Sequence, residues 1–148
     1  MKKAISTLWS VVLLTALLVG GCKKPPPPMS ERIAKAWSAE SVKEGSTVVF
    51  TKGGAGNTKP GYSNFKLTFL AGGNVTYSEL DNNTFNGQWE LVGDNRLILK
   101  NLTPQPTGTN GTIEFTINSF SDTRMVLTRT TASVKTGGTI NEYTLSNP

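Results

Sequence analysis

Histidine is absent from this chain, and cysteine occurs once, at Cys22. The first absence removes the commonest general base and metal ligand. The second excludes an intramolecular disulfide. The serines sit in no Gly-x-Ser-x-Gly elbow, and no imidazole is available to activate one. Charge is also sparse: with Lys2 and Lys3 set aside, 13 Lys and Arg face 10 Asp and Glu, a balance of +3. So small and scattered an excess argues against a nucleic-acid partner. Long apolar runs are missing too, because Leu8 to Val19 covers only a dozen residues, short of a bilayer-spanning helix. These absences predict a protein that is not an enzyme and holds no cofactor and no metal. A chain of 148 residues has room for one domain with a modest core.

What is present first locates the protein. Lys2 and Lys3 followed by the short apolar run read as a secretory signal. The cleavage zone Val19-Gly20-Gly21 before Cys22 resembles the lipobox of bacterial lipoproteins, whose cysteine is joined to diacylglycerol and becomes the new N-terminus. That resemblance implies lipid attachment at Cys22 and a membrane partner through the acyl chains. Residues 1–21 are then the signal peptide, 22–29 the lipidated cysteine and Pro-rich spacer, and 30–148 the folded domain. Four consecutive prolines, Pro25 to Pro28, make an extended segment of about 3.1 Å per residue, so residues 23–30 give roughly 25 Å of stand-off. Lys23 directly after the cysteine resembles the pattern of lipoproteins that proceed to the outer membrane, facing either the periplasm or the outside.

Past the spacer, Ser30 is placed to cap a short helical turn running to Ala36, after which the period changes from helical to two. Phe65, Leu67 and Phe69 fall on one face against Lys66 and Thr68. Val75 pairs with Tyr77. Phe85, Gly87, Trp89 and Leu91 oppose Asn86, Gln88 and Glu90. Strict alternation of this kind marks half-buried antiparallel strands. Turn chemistry separates them at Gly72-Gly73-Asn74, Asp81-Asn82-Asn83 and Gly93-Asp94-Asn95. With "RLILK", "TIEFTI", "RMVLTRT", "NEYTL", "WSAESV" and "TVVF", the count reaches eight or nine strands. Short connections favour an up-and-down meander, and closing it removes the exposed edges. The expected fold is therefore an all-β, single antiparallel up-and-down barrel with a short N-terminal helical turn; a β-sandwich is the alternative.

The order "AW..ESV" from Ala36, "F.LTF..GGNVTY" from Phe65, "FNGQWEL" from Phe85, "LILKNL" from Leu97, "SDTRMVLTRT" from Ser121 and "EYTL" from Glu142 resembles the lipocalin-like lipoproteins of Gram-negative anaerobes. The resemblance covers nearly the whole mature domain and implies an up-and-down barrel. Its motifs concern packing, and no reaction or ligand comes with them.

Aromatic residues are the better guide to binding. Tyr77, Phe85, Trp89, Phe115 and Trp37 are expected to point into the barrel, with Arg129 as a polar group at one end, either stacked on Trp37 or solvated at the rim. They would line a pocket for a small hydrophobic ligand, or they would fill the interior, since eight strands enclose just enough room for side chains or one small molecule. Glu79 and Asp81 share a strand face, but the Asp-Asn-Asn turn gives them a local, solvated role. Two readings follow: a monomeric, membrane-anchored binding module with a small hydrophobic ligand, and a structural or protein-interaction scaffold whose barrel is filled.

Overall fold

The structure is a computed structural model that describes residues 24–147, so Cys22 and the signal segment lie outside the described residues. Helix α1 (Met29–Ile33) is followed by nine strands: β1 (Ala36–Glu44), β2 (Thr47–Thr51), β3 (Lys66–Phe69), β4 (Asn74–Ser78), β5 (Thr84–Val92), β6 (Arg96–Thr103), β7 (Ile113–Phe120), β8 (Arg124–Arg129) and β9 (Asn141–Ser146). Single 3-10 turns lie at Pro60–Asn64 and Val134–Thr136. Every strand pair is antiparallel. Pairing runs from β3 in chain order to β9, and β9 returns to β1, which pairs β3. Eight strands thus close into a barrel, as expected, and the sandwich alternative does not hold.

The ninth strand is β2. It pairs the C-terminal half of β1, Ser41 to Glu44, whereas β3 pairs the N-terminal half, Ala36 to Ser38. The turn at Pro60–Asn64 fills the wall between them and the β4–β5 turn. Gly61 is required there: a Cβ would lie 2.5 Å from the Leu80 carbonyl oxygen.

Alternation places Leu67, Phe69, Val75, Tyr77, Leu97, Leu99, Ile113, Phe115, Met125, Leu127, Tyr143 and Leu145 inside one continuous core. β5 departs from it. Phe85 is buried, but Gly87, Trp89 and Leu91 are only half-buried, because the β5–β6 register shifts between Asn86 and Gln88. Gly87 sits at that irregularity with β6 so close that a Cβ would meet the Lys100 carbonyl oxygen at 2.6 Å. The helical turn also differs from expectation. It begins at Met29, its N-cap is Pro28, and Ser30 makes no capping bond.

Antiparallel pairing assigns each loop to one of two poles. α1, the β3–β4, β5–β6 and β7–β8 turns and the C-terminus gather at one, which we call the plugged pole. The β4–β5, β6–β7 and β8–β9 connections gather at the other, the mouth.

Candidate functional site

At the plugged pole α1 seals the barrel with Ile33, which is fully buried. The Trp37 indole N–H donates to the Ile33 carbonyl at 3.0 Å, tying the helix to the first inward side chain of β1. The Lys35 ammonium lies 5.1 Å from the centre of the Trp37 ring, and the Arg32 guanidinium 5.0 Å from that of Phe120. The cation over Trp37 is therefore Lys35, and Arg129 is elsewhere. Arg32 also pairs with Asp122 at 2.7 Å. Trp89 belongs to this pole as well. Its indole N–H donates to the Leu70 carbonyl at 3.1 Å, and its ring packs on Phe69 at 5.3 Å. It forms one wall of an open groove of about 480 Å³ with Ala34, Ala71 and Gly73, outside the barrel axis.

The mouth half is built from rings. Phe65 stacks on Tyr143 at 4.4 Å and 15° and meets Tyr77 edge-on at 5.5 Å. Tyr77 touches Phe85 at 5.7 Å, and Phe115 approaches Tyr143 at 6.0 Å. Tyr62 joins from the 3-10 turn, 6.3 Å from Tyr143, and its hydroxyl donates to Glu44 at 2.7 Å. All six rings are buried. Edge-on and offset contacts at these distances contribute beyond area burial and occupy the interior.

Above the rings lies a polar layer. Asn141 is fully buried; its amide donates to the Tyr143 hydroxyl at 3.2 Å and its carbonyl accepts from Thr139 at 2.7 Å. Tyr77 donates to Glu79 at 3.2 Å. Glu79 is buried, not solvated as its turn position suggests, because Lys135 reaches it from the β8–β9 connection and also binds Asp81 at 2.8 Å. That connection consequently crosses the mouth as a strap from β8 and β9 to the β4–β5 turn. Desolvation opposes the Lys135 charge, but hydrogen bonds to Asp81 and Glu79 raise its pKa above the ordinary lysine value. The Lys135 bond holds the Asp81 carboxyl below its usual range.

Arg129 lies beneath the strap and is 6% exposed, so it is not a rim charge. It pairs with Phe115 on β7, and on β9 its position follows the Thr128–Glu142 pair, next to Asn141. Its Nε is buried without a hydrogen-bond partner, and among the described residues Arg129 belongs to no ion pair. Burial pushes the Tyr77 and Tyr143 phenols above their ordinary pKa, with Arg129 pulling both the other way. Both phenols keep their protons at neutral pH.

Structural comparison bears on the scaffold. A crystal structure of a lipocalin-like protein from Bacteroides uniformis superposes with a TM-score of 0.52 over 79% of this chain and 99% of its own, at 14% identity. The fold is lipocalin-like. An uncharacterized protein from Bacteroides eggerthii aligns with a TM-score of 0.49 at 13% identity, over 78% of this chain and 98% of its own. No family model and no curated protein matches the sequence.

Within this lipocalin-like barrel the sequence-predicted residues divide. Tyr77, Phe85, Phe115 and Arg129 come together in the mouth half. Trp37 and Trp89 lie at the plugged pole, held to the Ile33 and Leu70 carbonyls. Sequence reasoning missed Tyr143, Asn141 and Lys135 as mouth residues. Asn141 and Tyr143 carried a signal, since period two puts both inside with Leu145. Lys135 carried none, because its carboxylate partner Glu79 is 56 residues away.

Proposed function

We propose that this chain is a membrane-anchored binding module of the cell envelope, tethered through Cys22 and presenting the mouth of its barrel away from the lipid. The observation that supports this most is where the spacer meets the domain. Lys24 to Pro28 border a groove with Glu31 of α1, so the tether arrives at the plugged pole and the mouth is distal. Only Lys23 separates Cys22 from that segment's start, too little chain to swing the barrel over. The ligand reading places recognition at the polar layer under the strap, since the rings leave the depth of the barrel to side chains.

The second reading, a filled scaffold acting through its loops as a monomer, is favoured by that same ring packing. Native mass spectrometry of the protein extracted gently from its own membrane separates the two. The expected result is acyl mass on the N-terminal cysteine together with a small non-covalent adduct. Absence of acyl mass overturns the anchor. Acyl mass without an adduct favours the scaffold.

A further inference from the structure

A buried guanidinium with no carboxylate to meet it is costly, since removing a cation from water is offset only by pairing and full hydrogen bonding. Arg129 is such a group: 6% exposed, Nε without a partner, and in no ion pair among the described residues. The nearby carboxylates are already engaged, Glu79 by Lys135 and Tyr77, and Asp81 by Lys135. The Tyr143 hydroxyl accepts from Asn141, which leaves its own proton to donate. The Tyr143 oxygen also faces the Arg129 guanidinium, but the Arg129 Nε has no partner, so donors outnumber acceptors on the mouth side of Phe115 and Tyr143.

We propose that Arg129 and Tyr143 form a receptor for the carboxylate of a small, partly apolar acid, held under the β8–β9 strap. The planar guanidinium fork matches a carboxylate with two parallel N–H···O bonds, and the Tyr143 O–H supplies a third donor. Depth sets the ligand's size. The stacked rings of Phe65 and Tyr143 and the edge of Phe115 close the barrel below, so the acid enters head first and its apolar part remains at the mouth. Val134 and Ile140, 62% and 41% exposed on the strap, supply apolar surface there. Release of Lys135 from Glu79 and Asp81 lifts the strap and admits the ligand. This rests on the proposed binding function only in taking the mouth as the recognition surface; it is independent of the anchor.

The test uses the full chain in non-ionic detergent, with hexanoate as probe, hexan-1-ol as the uncharged control and butyl phosphate as the competing anion. Hexanoate is expected to raise the melting temperature and hexan-1-ol to leave it unchanged. Arg129→Met, which keeps the stem and removes the charge, is expected to abolish the hexanoate shift while melting no lower than the parent. A missing shift in the parent, or one retained in Arg129→Met, overturns the receptor. A larger shift with butyl phosphate overturns the carboxylate assignment. Should Arg129→Met fail to fold, Arg129→Lys replaces the fork with a point charge and is expected to weaken hexanoate binding at least tenfold by calorimetry. Undiminished binding in that variant overturns the proposal.

Discussion

The two poles of the barrel are closed by opposite means. At one, a single turn of helix inserts Ile33 beside Trp37, and apolar burial does the sealing, with cations over the Trp37 and Phe120 rings. At the other, a strap is held across the mouth by one lysine between two acidic residues, over a layer of buried polar groups. Apolar seals are non-directional and do not depend on pH, whereas an ionic latch can be released by a proton or a competing ion. The comparison teaches that the plugged pole is sealed chiefly by packing. The mouth is sealed by charge.

The largest effect is expected from breaking the plug. Trp37→Ala removes the biggest fully buried side chain at that pole together with the anchor for Ile33, and should cost about 3–5 kcal/mol in urea unfolding. A cost no greater than that of an exposed substitution would remove the distinction between the poles.

A smaller effect follows from cutting the latch. Lys135→Met leaves Glu79 buried with only the Tyr77 hydroxyl as partner, and should cost about 1–3 kcal/mol overall. Its sharper signature is local. Amide hydrogen exchange should accelerate across residues 130–140 and remain unchanged at α1, and uniform acceleration would contradict a strap that opens on its own.

The smallest effect is that of pH. Asp81 titrates below its ordinary value of 3.8, so its share of the latch is present above that pH and is lost as pH falls through the lower folded value. Lys135 titrates above 10.5, so its share is present below that pH and is lost as pH rises through the higher folded value. Exchange in the strap should therefore be slowest, relative to intrinsic rates, between about pH 4 and 10, and should rise at both limits. A protection profile that is flat at those limits would remove the ionic character of the mouth.

Much of the fold was legible because a strand declares its inner face locally. In Phe65-Lys66-Leu67-Thr68-Phe69 and in Asn74 to Ser78, period two alone separates core from surface, and burial follows it. The same rule misjudged Trp89, whose face depends on the β5–β6 register and on the Leu70 carbonyl that its indole reaches across a turn. Arg129 was legible as an inward cation from its phase with Met125 and Leu127, but its neighbours were not.

By itself the sequence determined the strand pattern, most of the inward faces, the turn positions and the all-β class, since each depends on hydrophobic period and turn chemistry over a few neighbouring residues; barrel against sandwich was decided by the β1–β9 pairing. Only the tertiary structure decided which pole each aromatic occupies, that Glu79 is buried under Lys135, and that Arg129 lies among donors without an acid to meet it. Those facts come from barrel closure, which places β4 opposite the β8–β9 connection. A contact between residues 56 positions apart leaves no periodic trace in the chain.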